Sequence, residues 1–383
     1  MNDVEGITIC AAGLFHYRNY AGYLQKLGAL NHIYFSHKVG QLPEIDRNRR
    51  TNLPLKEYLM TAHIRLFGAV SAFRKMRMYN WFWQAQCRLS FKPGKRNLVL
   101  LQGNGHAALR SIRRKGGIAI GEVVNAHPTL MNTLLSNDAK LHGVQHFWTQ
   151  GIIDDKLSEL ELVDYLLSPS QFVTNSYIDN GFPASRILTI PYGVGSLSST
   201  IPKTVKNVGK SSDEKIKVIS VGQVFPRKGQ YHLLKAIMHH GSADDFEITL
   251  IGLSDPNYMK ALQQLGVPFR HIERLPHADV LGEISRSDVL CLSSLEDGFG
   301  MVVAEALSMN TPVAVSSNAG ASELVRRCGG GIIFDPTDYL SLITSLRQCK
   351  LGVFPSFSFQ PTTWKDYAQL VRSQLNALEK PEI

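Results

Sequence analysis

The chain has 383 residues, of which 44% are apolar, 9% aromatic and 19% charged. That composition excludes disordered and fibrous classes and, at about 100–200 residues per domain, favours two domains. No run approaches the roughly 18 apolar residues of a bilayer span, and no basic stub followed by an apolar h-region opens the chain. Five cysteines without a CxxC pair (Cys10, Cys87, Cys291, Cys328, Cys349) point to a reducing compartment and away from zinc. The expectation is a cytoplasmic protein. Its formal charge of +9 sits in the first half, where residues 1–120 hold 19 Lys and Arg against 5 Asp and Glu.

In chain order, short apolar runs alternate with longer helical patterns. Strands are expected at Ile7–Ala12, Leu98–Leu101, Ile118–Val124, Tyr165–Leu167 and Ile187–Ile190, then at Ile216–Val221, Ile248–Ile251, Val289–Leu292, Pro312–Val315 and Ile332–Phe334. Continuous Val/Ile/Leu runs of this length are strands buried on both faces, and their alternation with helices implies parallel α/β sheets. Between Lys56 and Arg96 basic side chains, among them Arg74, Lys75, Arg77 and Arg88, mix with Phe67, Phe73, Trp81 and Trp83. Such a segment suits an anionic membrane interface, equally a solvated face over core aromatics, and less well a nucleic acid. Residues 196–214, rich in Ser, Thr, Lys and Gly, read as a linker. Phe359, Trp364, Tyr367, Leu370, Val371 and Leu375 give a closing amphipathic helix. The expected organisation is therefore 1–195, a linker at 196–214, 215–355 and a terminal helix at 356–383. Two doubly wound domains would face each other across a cleft, with ligands at the carboxyl ends of the strands.

The chemistry concentrates in DVLCLSSLEDGFGMVVAEALSMNTPVAVSS, residues 288–317. A strand leads into the loop Glu296–Gly300, and a helix then starts near Gly300 and runs to about Asn310. Gly298 and Gly300 allow backbone to approach a ligand, and the helix start turns free N–H groups and a partial positive charge towards the loop, which suits a diphosphate. Glu305 lies about 7.5 Å along the helix, at 1.5 Å per residue. A nucleotide-sugar with its diphosphate here would offer sugar hydroxyls to Asp297 and ribose hydroxyls to Glu305. The bland alternative is a solvent-facing Glu305 and a capping Asp297.

Asp297-Gly-Phe299-Gly-x4-Glu305-Ala306, followed by Pro312-Val313, resembles the Glu-x7-Glu signature of the family-four retaining glycosyltransferases with the GT-B fold. Asp297 stands where the family has its first Glu, with Glu296 just before it, and either carboxylate is a candidate for the sugar. Val218–Ala236, VISVGQVFPRKGQYHLLKA, resembles the family's V-G-R-x4-K-G-x3-L-L-x-A. By that resemblance Gly222 and Lys228 meet the leaving diphosphate, and Gln223 replaces the usual Arg, whose contact is either lost or taken over by Arg227. Residues 165–193, 276–294 and 317–325 resemble further family segments, and Glu323 in the last either contacts acceptor or caps its helix.

The resemblance places Gly13 and His16 in a loop near diphosphate and acceptor, and His127 against the transferred sugar. It implies a retaining transfer from a nucleotide diphosphate sugar, UDP-linked by default, with Asp297, Lys228 and His127 as catalytic groups. Donor contacts would come from Gly222, Gln223, Arg227, Glu296, Gly298, Phe299, Gly300, Met301 and Glu305. It implies neither cofactor nor metal. The basic, aromatic first half suggests a glycan or lipid-linked acceptor, with the protein peripheral at the inner membrane face in polysaccharide or glycolipid assembly. Two alternatives remain at this stage. One is a catalytically silent GT-B module. The other is an NAD-dependent dehydrogenase, since Gly103-x-Gly105-x-x-Ala108 after Leu98–Leu101, with Glu122 17 residues past Gly105, meets the dinucleotide fingerprint.

Overall fold

The computed structural model describes residues 6–13, 15–37, 42–67, 75–144, 148–195, 214–352 and 357–381. The linker proposed at 196–214 lies, apart from its last residue, outside the described residues, as do Phe73 and Arg74.

Strands β1 (Ile7–Ala11), β2 (Leu30–Phe35), β3 (Arg50–Asn52), β4 (Arg96–Leu100), β5 (Ile118–Glu122), β6 (Tyr165–Ser168) and β7 (Ile187–Thr189) form one sheet in the order β3-β2-β1-β4-β5-β6-β7. A second sheet holds β8 (Ile216–Val221), β9 (Phe246–Ile251), β10 (Arg270–Ile272), β11 (Val289–Leu292), β12 (Val313–Ser316) and β13 (Gly331–Phe334), ordered β10-β9-β8-β11-β12-β13. Every ladder is parallel. Helices cover both faces, with separate cores on the two sides of each sheet. These are two doubly wound domains, as the alternation of runs implied, in the GT-B arrangement that the motif resemblance implied. Strand order reverses between β1 and β4 in one sheet and between β8 and β11 in the other. The crevices that receive ligands therefore open after β1 and β8.

Three strands escaped the sequence reading for one reason. β2 reads LNHIYF, with Asn31 and His32 breaking the apolar run. β3 reads RTN and β10 reads RHI; both are edge strands formed by pairing with one neighbour rather than by burial. Conversely Pro312 stands outside β12, since it has no N–H for the ladder.

The helix Trp364–Asn376 packs against the helix Tyr17–Lys26 and joins the first domain's core through Trp364, Tyr367, Val371 and Leu375. Thr363 and Asp366 form a reciprocal capping box that starts it. Arg96 Nη2 ties its end by donating to the Asn376 carbonyl at 2.6 Å.

Candidate active site

β11 is wholly buried, so its chain leaves the sheet edge-on and delivers Leu295–Gly300 to the crevice beside β8. The loop is pinned to the next crossover: the Asp297 N–H donates to the Asn318 carbonyl at 3.0 Å, and the Gly320 N–H to the Asp297 carbonyl at 2.9 Å. Gly300 has φ +78°, a conformation that costs a Cβ-bearing residue roughly 1–2 kcal/mol. It turns the chain into the helix Met301–Ser308, which buries Val303, Ala304, Ala306 and Leu307 and leaves Glu305 half-buried on its open side.

Glu296 and Asp297, adjacent in an extended loop, point to different partners. Asp297 is 8% exposed. Its Oδ2 accepts from Lys228 Nζ at 2.5 Å and its Oδ1 from the Phe299 N–H at 3.4 Å. Burial alone would raise this carboxyl, but Lys228 and Arg227 outweigh it and hold Asp297 below the usual carboxylate range. Burial in turn lowers the Lys228 ammonium, against the pull of Asp297. Lys228 ends the turn Pro226–Lys228 after β8, and a Cβ built on Gly222 would lie 3.8 Å from Lys228 Cε. Gly222, Lys228, Asp297 and the start of the helix Met301–Ser308 thus converge at the carboxyl ends of β8 and β11.

Glu296 is fully buried and looks away from that point. Its carboxylate accepts from Asn125 Nδ2 at 3.0 Å, from the Ala126 N–H at 2.9 Å and from Arg227 Nη1 at 3.1 Å. Of the two candidate carboxylates, Asp297 therefore lies in the crevice, and Glu296 binds the first domain's β5 loop to the second domain. The same Arg227 nitrogen also donates to the Glu296 carbonyl at 3.0 Å. The guanidinium read as a phosphate ligand is here a partner of Glu296, and Gln223 is exposed. Glu305 Oε1 meets His277 Nε2 at 3.0 Å, a partner on the helix His277–Arg286 that sequence reasoning missed because no periodicity links them.

The first domain brings two histidines. His127 is 5% exposed and caps the helix Pro128–His142, its Nδ1 accepting from the Thr129 N–H at 3.3 Å. Burial pushes its ring down to about 4. The imidazole is neutral, and because Nδ1 accepts, its proton sits on Nε2, which is a donor. His16 follows Gly13 at the start of the helix Tyr17–Lys26, its ring 4.3 Å from Tyr192 and 5.8 Å from Trp364. Burial lowers it to about 4 although the Asp297 charge pulls the other way. The Phe299 ring is buried in the first domain's core, 5.7 Å from Tyr192, and half-buried Met301 packs against the same core.

Glu323 does not cap its own helix. Its Oε1 receives the Gln171 N–H at 2.5 Å and the Phe172 N–H at 3.4 Å, so it caps the helix Gln171–Ile178 of the other domain. Ser170 Oγ donates to the Gly298 carbonyl at 2.7 Å across the same seam.

The dinucleotide fingerprint is overturned. The Gly103 and Gly105 N–H groups that would cradle a pyrophosphate donate to the buried Glu159 carboxylate at 2.7 and 2.5 Å. Glu122, the supposed ribose ligand, is buried and accepts from Tyr20 Oη at 3.1 Å and Tyr192 Oη at 3.5 Å. Burial raises both carboxyls to about 7. An internal carboxylate occupies the place of the phosphate.

Residues 203–350 match the family described as glycosyl transferases group 1. The second domain is a group 1 glycosyltransferase domain. An uncharacterized glycosyltransferase of Methanocaldococcus jannaschii is 30% identical over 131 residues, 33% of each chain. An MMP α-(1→4)-mannosyltransferase of Mycolicibacterium hassiacum is 31% identical over 100 residues, 25% of this chain and 24% of that one. The matches thus span a third or less of these curated relatives. Among solved structures, Anabaena HepE in complex with UDP and glucose superposes with a TM-score of 0.61 at 14% identity, over 97% of this chain and 99% of that one. That likeness is one of fold and extends the GT-B architecture over both domains.

Proposed function

We propose that this group 1 glycosyltransferase domain works with the first domain as a retaining glycosyltransferase, moving a sugar from a UDP-sugar to a hydroxyl acceptor. The observation that carries the reading is the Asp297–Lys228 pair, set at the start of the helix Met301–Ser308 and beside Gly222. A donor diphosphate entering there receives the helix N–H groups and the Lys228 ammonium, which stabilise charge building on the leaving group. Lys228 then exchanges Asp297 for phosphate, and Asp297 is released to accept from sugar hydroxyls. Glu305 holds the ribose hydroxyls in exchange for His277. His127 Nε2–H donates to the sugar from the first domain. The bond from anomeric carbon to phosphate oxygen breaks as the acceptor oxygen bonds on the same face, and the acceptor proton passes to the departing phosphate. The HepE complex with UDP and glucose supports the donor class. Residues 215–355 would hold the donor and 1–195 the acceptor.

The acceptor is read from the helices Leu55–Phe67 and Met76–Ser90. One exposes Leu55, Tyr58, Leu66 and Phe67 beside Arg65, the other Met78, Trp81 and Leu89 beside Arg88. Among the described residues no helix is long and apolar enough to cross a membrane. Two basic, apolar helix faces that no described element covers suit an anionic lipid surface, at about 1 kcal/mol per basic residue. The reading is therefore a cytoplasmic enzyme, peripheral at the membrane, acting on a glycan or lipid-linked acceptor in polysaccharide or glycolipid assembly. Replacing Arg65, Trp81 and Arg88 together is expected to abolish sedimentation with anionic vesicles; unchanged sedimentation removes the membrane reading.

The donor test is thermal stabilisation against UDP, GDP, ADP and NAD, on the native chain and on Glu305→Ala. A ligand that binds only the folded state raises Tm by mass action. The expected outcome is a shift with UDP that collapses in Glu305→Ala. A shift with another nucleotide changes the donor, and no shift with any of them favours a silent binding module.

A further inference from the structure

Away from the donor crevice, a buried polar cluster joins the two domains. Asp138 lies on the helix Pro128–His142 of the first domain and is 4% exposed. Its Oδ2 accepts from His142 Nε2, one turn on, at 2.8 Å. Its Oδ1 accepts from His232 Nε2 at 2.7 Å, and His232 belongs to the helix Gln230–His240 of the second domain. The outer ring nitrogen of His142 fixes the place of its proton. His142 Nδ1 accepts the Val144 N–H at 3.1 Å, so His142 is neutral and donates through Nε2. His232 Nδ1 meets Tyr339 Oη at 3.3 Å. Burial raises the Asp138 carboxyl, but the bonds from His142 and His232 outweigh it and hold the group below the usual carboxylate range. Asp138 is an anion satisfied on both oxygens, and half of that satisfaction comes from the other domain.

The His232 end of this contact is close in sequence to Lys228. Gly229 separates Lys228 from the helix Gln230–His240, and the His232 N–H closes its first turn on the Gly229 carbonyl at 3.0 Å. The turn Pro226–Lys228 packs directly on the helix Pro128–His142. A second bond runs parallel, from Tyr231 Oη to the Leu141 carbonyl at 3.2 Å.

We propose that Asp138 and His232 form a cross-domain tie that positions Lys228, holding its turn in register with the first domain when the cleft is closed. Neither residue touches the reacting atoms; both are positioning residues. Opening the cleft breaks the bond and leaves Asp138 with His142 alone, so the tie belongs to the closed arrangement. On opening, water takes the place of His232 on Asp138, so the tie favours closure through a direct bond strengthened in the water-excluded seam and not through a stranded charge. The catalytic part of the proposal rests on the role assigned to Lys228, and the tie itself does not.

Two measurements separate the two. The first is small-angle scattering of the free protein, native and as His232→Leu, His232→Gln and His142→Phe. His232→Leu is expected to enlarge the radius of gyration. His232→Gln, whose Nε2 reaches the Nε2 position of the imidazole, restores it, and His142→Phe leaves it unchanged, because it keeps a ring against Tyr231 and Tyr258 of the second domain and loses only bonds within the first. The second is turnover with the UDP-sugar: His232→Leu loses roughly tenfold or more in kcat with a smaller change in donor KM, as expected when a catalytic group is displaced rather than removed. His232→Gln recovers most of it. Should His232→Leu fail to fold, Asp138→Asn, which keeps the shape but weakens both bonds, takes its place in both assays. Unchanged scattering in His232→Leu or in its substitute Asp138→Asn, or an equal expansion in His142→Phe, overturns the tie. Expanded scattering in a protein that shows no transferase activity with any donor leaves the tie standing and removes the transferase reading instead.

Discussion

At the scale of the residue, the decisive contact is the ion pair of Lys228 and Asp297, two groups 69 positions apart in the chain. Each charge is tolerable in its buried place because of the other. Lys228→Ala should lower kcat/KM by about 10²–10³-fold, the usual loss when a preorganised partner of developing charge is removed. It should also change the pH dependence of stability, in a direction set by Asp297. The depressed carboxyl of the native protein contributes stability above its unfolded pKa, which is lost as pH falls through its lower folded value. Without Lys228 that contribution shrinks, so the variant's deficit in Tm is expected to be larger at pH 7 than at pH 3. Melting curves of both proteins at the two pH values check this, and an equal deficit at both would contradict it.

The placement of Lys228 and Glu305 around one crevice was legible in the sequence because a Gly-rich loop, a helix start and a cation after a strand form a local pattern. His277, Asn125 and the true place of Arg227 were not. Their partners lie 28, 171 and 69 residues away, and no spacing rule spans such distances.

Elements show the same divide. Buried parallel strands announce themselves as unbroken apolar runs, and all ten expected runs hold a strand. Edge strands such as Arg50–Asn52 carry no such mark. The loop Gly103–Gly105 is the instructive failure: its glycines, strand and helix match a phosphate-binding pattern, yet the anion it cradles is Glu159, from the helix Gln150–Leu160. A Gly-rich turn exposes N–H groups without specifying who accepts from them. Glu159→Ala should leave the buried Gly103 and Gly105 N–H groups unsatisfied and destabilise the chain by roughly 1–3 kcal/mol. Urea unfolding measures this, and a loss below a few tenths of a kcal/mol would mean that water replaces the carboxylate.

For the whole molecule, the seam between domains joins polar contacts, Glu296 with Asn125 and Ala126, Glu323 with Gln171, Ser170 with the Gly298 carbonyl and Asp138 with His232, to apolar ones, Phe299 in the first domain's core and Leu295 with Met131 and Leu135. The polar contacts re-solvate on opening at modest cost, which suits a cleft that closes over its substrate and reopens. Backbone approach is the other condition of closure, since a Cβ built on Gly298 would sit 1.9 Å from the Val124 carbonyl oxygen of the facing domain. Gly298→Ala is expected to keep both domains folded and UDP binding largely intact, to expand the molecule in solution, and to lower turnover at least tenfold, because closure assembles the site. Full turnover in that variant would show that closure tolerates a wider gap than this structure has.

By itself the sequence determined the two doubly wound domains, the crevice at β8 and β11, and the glycine loop, helix start and cation that meet there. Those properties follow from local periodicity, from glycine at turns and from the direction of a helix. Tertiary structure decided which of two neighbouring carboxylates enters the crevice, which anion fills a glycine loop, and which histidine joins one domain to the other. Each of these is settled by competition among partners distant in the chain, and the outcome depends on which group loses least by leaving water.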